Sequence, residues 1–312
     1  MDRRFFYLKT RFNILINLIL CYDINGGSMK LDIILNDALL MWNLLYQSSV
    51  SEDIHELKQK LWVDYKKDYT SLYRYKKDIM EQLNDFIPDD DKIFTLLESS
   101  LAFRKIRKET NKYRLNILEI WDRNKKNYLK ELEKVLKCEL NCNYTICVLH
   151  PNFNIVETDL KSNLIIMGKK ITTRDKDNFL TYLIYKIIKN EFLKLEPKDA
   201  LEKEIINAIV ELVATNEFYT RVTKESKYNL GKKSLRVLKE QIYPYWLMYL
   251  GVKMADMEKY MIRDNIFFHI TPYIYDERLA SMDIFTFINY VLKHKEEILK
   301  QRTYTVEDIE VL

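Results

Sequence analysis

The 312-residue chain has only five glycines and five prolines. These residues supply most sharp-turn chemistry, so a dense all-β architecture is excluded and a mostly helical protein is expected. There is no glycine-rich phosphate loop, no G-x-S-x-G elbow and no C-x-x-C pair. Nucleotide binding through a glycine loop is therefore not expected. Charge of one sign is also lacking. Fifty basic and 46 acidic residues are interspersed and leave a net charge of +4, so no one-sided basic block marks a nucleic-acid surface. The apolar run from Phe12 to Tyr22 falls short of the about 20 residues needed to cross a bilayer. Cysteine is scarce too. Cys21, Cys138, Cys142 and Cys147 form no paired framework, which fits a reducing cytoplasm.

Cys138, Cys142, Cys147 and His150 have the residue types of a zinc site. Their spacing argues otherwise. On a strand, Cys147 and His150 point to opposite faces, and small core residues with a histidine at the strand end are expected. No metal and no cofactor are expected.

What is abundant is apolar and aromatic mass: 47% hydrophobic residues, 22 tyrosines and 14 phenylalanines. Apolar residues at helical spacing predict a helix over 31–46. A long aromatic-rich helix or hairpin follows from Ser51 to about Phe86, and another runs from about Phe103 to Lys137. Tyr144–His150, Asn154–Glu157 and Leu164–Gly168 read as two or three short strands. Helices then return over 179–195, 199–222, 232–250, 252–263 and 281–300. The fold class is α+β and predominantly helical. A helical domain over 29–137 is expected to precede a small sheet plus helices over 138–312.

The order strand, turn, strand, capped helix, later helix resembles the core of zincin-class metallopeptidases, in their gluzincin branch. The family's helix carries H-E-x-x-H, in which two histidines bind zinc and the glutamate is the general base. Here Tyr185-Lys186-Ile187-Ile188-Lys189 stands in that place. Glu211-Leu212-Val213-Ala214 has the E-x-x-A form of the family's third ligand, on a later helix. The resemblance covers about residues 144–222. It implies a zincin-like scaffold whose zinc histidines are absent, because a protonated lysine has no lone pair to offer a metal. Tyr185, Lys186, Lys189 and Glu211 then form a degenerate site without catalysis. Lys189 is expected to pair with Glu211, its ammonium replacing the lost cation.

Tyr243, Tyr245, Trp246 and Tyr249 lie in the densest aromatic segment, which is interrupted by Pro244. That segment reads either as a Pro-kinked core helix or, with His269, as the wall of a groove. The leading functional expectation is a cytoplasmic protein that binds a peptide or protein partner in a cleft between its halves. Two alternatives stand beside it. One is an active hydrolase using Glu191, Glu211 and His269. The other is a purely helical interaction module.

Residues 1–28 are expected to be a translated leader or a disordered N-terminal extension. Asn25 to Met29 can be encoded with a purine-rich GGAGG sequence just before an ATG, and two of the five glycines fall there. Mass spectrometry of the native N-terminus is expected to find Met29 first and no peptide upstream of it.

Overall fold

The computed structural model describes residues 29–47, 50–83, 86, 91–159, 161–170, 176–225, 231–264 and 275–300. The expected leader, Cys21 and His269 lie outside them. Strand β1 is Lys30–Ile34. Helices α1 (Asp37–Tyr46), α2 (Glu52–Asp64), α3 (Lys66–Ser71), α4 (Tyr75–Glu81), α5 (Lys92–Ser99) and α6 (Leu101–Leu136) follow. Then come β2 (Asn143–Val148), β3 (Ile155–Asp159) and β4 (Leu164–Gly168). Beyond them are α7 (Lys176–Leu193) and α8 (Ala200–Glu211). A π-helical segment (Leu212–Phe218) runs on from α8 into α9 (Tyr219–Thr223). The order closes with α10 (Arg236–Tyr249), α11 (Met257–Arg263), α12 (Ile284–Lys293) and α13 (Lys295–Ile298). The protein is a predominantly helical α+β fold with a small mixed sheet.

Two expectations change. The helix over 31–46 begins only at Asp37, where the Asn36 side chain accepts the Leu39 N–H at 2.7 Å as an N-cap. The residues before it form β1, because β2 offers a parallel partner from far along the chain. Local periodicity cannot register such a partner. The long helix after Ser51 is also cut into α2, α3 and α4, with Tyr65 outside helical geometry at φ −138°. The breaks fold the aromatic residues back onto α1: Tyr69 donates to the Leu45 carbonyl and Tyr46 to the Tyr69 carbonyl.

The sheet order is β1-β2-β4-β3, with β3 antiparallel at one edge. Alternate residues face opposite sides of a strand, and here both sides are buried. Tyr144, Ile146, Val148, Ile165 and Met167 enter one core. Cys147, Leu149, Leu164 and Ile166 enter the other. The first core is covered by α7, α8, α10, α12 and the later part of α6, the second by α1 to α5 and the start of α6. Thirty-six residues long, α6 reaches about 54 Å and serves both cores. The boundary expected near Cys138 therefore runs through a shared sheet, with β1 from one side and β2 to β4 from the other.

The cysteine–histidine series is dispersed. Cys142 belongs to the first core and Cys147 to the second, and burial pushes both thiols up to about 12. His150, just past β2, is buried. It accepts the Asn152 N–H at Nδ1, and its Nε2 lies 3.1 Å from the Glu109 carboxylate of α6. Burial lowers its pKa below the usual 6.5, outweighing the opposite pull of Glu109.

A folded-state pKa below the unfolded value means that the unfolded chain binds the proton more readily. Stability should therefore fall as pH drops below about 6.5 and level off once His150 is charged in both states. Urea melts from pH 7.5 to 5 are expected to show this slope, and His150→Asn is expected to flatten it.

Candidate functional site

Helix α7 explains its own lysines. Leu180, Leu183, Ile184, Ile187, Ile188 and Phe192 are fully buried and form its apolar body. Tyr182, Tyr185, Lys186 and Lys189 recur at helical spacing along one partly exposed edge. That edge walls a cavity of about 300 Å³, to which Asn178, Thr181, Tyr182 and Tyr185 contribute from α7. The opposite wall is Glu211, Thr215 and Tyr219, and Gly231 and Lys232 close the rim.

The resemblance places Tyr185 and Glu211 at one centre, and both line this cavity. The expected Lys189–Glu211 pair is not made. Glu211 pairs instead with Lys239 of α10, at 3.2 Å, with the two side chains only 1% and 5% exposed. Its other oxygen accepts the Lys232 N–H at 2.9 Å. The reason is positional: Lys239 lies beneath the cavity among buried residues of α10, whereas Lys189 keeps to the partly exposed edge of α7. Lys189 feels Glu211 only as a distant charge, the weakest influence on an ammonium that burial and the charges of Lys232, Lys186 and Lys203 push down.

The electrostatics follow from desolvation. Burial pushes the Tyr185 hydroxyl up to about 12, and the Glu211 charge adds to the effect. Burial also lowers the Lys239 pKa, while Glu211 acts to keep that ammonium charged. Lys239 Nζ lies 3.2 Å from Oε2 of Glu211, within reach of both charge and hydrogen bond.

Gly231 makes this approach possible. Its φ is +123°, and a Cβ there would lie inside van der Waals contact of the Glu211 carboxylate. Glycine alone satisfies both conditions. In a chain with five glycines, its rarity was the one signal in the sequence for this residue. Nothing in the sequence signalled Lys239.

The aromatic segment belongs to the core. Tyr243, Tyr245, Trp246 and Tyr249 are at most 1% exposed, so they form no open groove wall; they belong to a core helix with Pro244 inside it. The cavity accordingly lies among the C-terminal helices, and no cleft between the halves carries these residues. Tyr243 donates to Asp264 at 2.6 Å in a buried network with Asn216 and Arg263. Glu217 joins it through Arg263 and Arg221. Asn190-Glu191-Phe192 and Asn216-Glu217-Phe218 share one sequence, and in both the asparagine and glutamate make buried or partly buried polar contacts. Asn190 and Glu191 both bind the Tyr144 hydroxyl, at 2.6 and 2.7 Å, which ties α7 to β2.

Among the described residues no group of three or more His, Cys, Asp or Glu side chains converges as a metal site would require. In addition, no helix there is long and apolar enough to cross a membrane.

Removing one partner of a buried charge pair typically costs about 3–5 kcal/mol, whereas replacing both with apolar residues can be neutral. Glu211→Leu and Lys239→Met are each expected to destabilise on that scale in urea unfolding. The double variant is expected to recover most of the loss.

The chain matches no protein-family model, no curated protein and no solved structure.

Proposed function

We propose that this chain is a non-catalytic, zincin-like protein that binds a segment of a peptide or protein partner at the Tyr185–Glu211 cavity. One observation carries this reading: Tyr185 and Glu211, which the resemblance would bring to one centre, line the same cavity, with the Lys239 ammonium against that glutamate. Lys239, and not the expected Lys189, neutralises the carboxylate. Tyr185, Lys186 and Lys189 do not fit a zinc ion, since cations repel it and Lys239 already neutralises Glu211. A cavity of about 300 Å³ is at the small end of ligand sites. It suits one inserted side chain, with the rest of the partner lying across the rim. The three cysteines described are free, which supports placement in a reducing cytoplasm.

The hydrolase alternative has less support, because Glu191 is held by Tyr144 and Lys194 and Glu211 by Lys239. Fluorogenic peptides with added zinc are expected to remain uncut, and hydrolysis would overturn the proposal. A displayed random-peptide library is expected to yield binders that lose capture by Thr215→Trp, which fills the cavity. Circular dichroism would establish that the variant folds. Binders that ignore this substitution would place the site elsewhere.

A further inference from the structure

The rim of the cavity carries a set of cations. Lys169 and Lys186 place their ammonium groups 4.5 and 5.4 Å from the ring of Tyr182, which is itself a cavity wall. Lys232 lines the rim, and Lys189 follows Lys186 along the same edge of α7. Among the described residues none of these four makes an ion pair with a carboxylate. The one acidic wall residue, Glu211, is already neutralised from beneath by Lys239.

Lys169 and Lys232 are exposed, whereas Lys186 and Lys189 are half-buried, and gathering like charges beside half-buried ones costs free energy unless something opposes them. Their mutual effect is visible in Lys189, whose ammonium is pushed down by burial and then by Lys232, Lys186 and Lys203. Lys186 is pushed down by burial and by Lys232. The interior below this rim is different. Stacked Tyr182 and Tyr185 rings, 6.3 Å apart, and Thr181, Thr215 and Tyr219 give walls that accept an apolar side chain.

Resting on the binding reading above, we infer that the partner segment is an acidic peptide: one apolar or aromatic side chain enters the cavity, and flanking carboxylates meet Lys169, Lys186, Lys189 and Lys232. Two features act together. The cavity alone would accept many apolar side chains. The lysines select among them by charge, raising the on-rate for acidic segments and penalising basic ones.

Fluorescence anisotropy with labelled heptapeptides tests this. One probe has a central phenylalanine flanked by glutamates, a second replaces the glutamates with glutamines, and a third replaces the phenylalanine with alanine. Each is made with a free and an amidated C-terminus, which separates side-chain from terminal carboxylates. The glutamate–phenylalanine probe is expected to bind at least about tenfold more tightly than the glutamine one. Its affinity should fall with rising salt and collapse in the double variant Lys186→Glu, Lys189→Glu. Salt dependence in the unaltered protein keeps the test valid if that variant fails to fold.

Equal binding of the glutamate and glutamine probes overturns the acidic preference and leaves the peptide-binding reading standing. Binding of neither probe, with no binder from the library, overturns both. Displacement by inorganic phosphate at constant ionic strength, with phenylalanine and alanine probes alike, overturns the inference in favour of a simple anion site.

Discussion

The strict alternation of side chains along β2 and β4 is the constraint from which the architecture follows. Ile146 and Ile165 face one way, Cys147 and Ile166 the other, and neither direction is open to water. A sheet buried on both faces needs helices on both. A slip of one residue in register would send every side chain to the wrong core. The N-terminal helices are thereby bound to the C-terminal ones through a wall they share, and α6 runs past both. The cavity residues inherit their positions from this frame: α7 is fixed to β2 through Tyr144, Asn190 and Glu191.

Within the frame, Glu211 is the most demanding side chain. A carboxylate 1% exposed needs compensation, and it draws on three residues, one in α10 and two adjacent in the connection before it. Lys239 supplies charge from α10, the Lys232 amide donates a hydrogen bond, and Gly231 leaves room for both. Buried pairs of this kind are weak evidence of stability in themselves.

Much of this was legible in the sequence. The scarcity of glycine and proline, with period-3.6 spacing, gave the helical class. The β-rich run from Tyr144 and the helical spacing that returns after it gave the order of sheet and helices. Glu211 was singled out through the E-x-x-A form on a later helix, as a resemblance and not as a buried carboxylate. What escaped depended on partners distant along the chain. β1 is a strand only because β2 lies beside it, Lys239 is a counter-ion only because α10 passes under Glu211, and the Tyr243–Tyr249 aromatics are core because α6 and α12 close over them. Composition cannot distinguish a buried aromatic helix from an open aromatic wall, since both need the same residues.

The π-helical segment over Leu212–Phe218 bears on this in another way. Its turn is wider than the 3.6 residues of an α-helix, so every residue beyond it sits at a different angle about the axis than an unbroken α-helix would give it. Glu211 just before the segment, Thr215 within it and Tyr219 just after it line one cavity, and the Thr215 hydroxyl donates to the Glu211 carbonyl at 2.7 Å, tying the first two of them together. The segment works as a phase shifter: it resets the direction in which the helix beyond it faces.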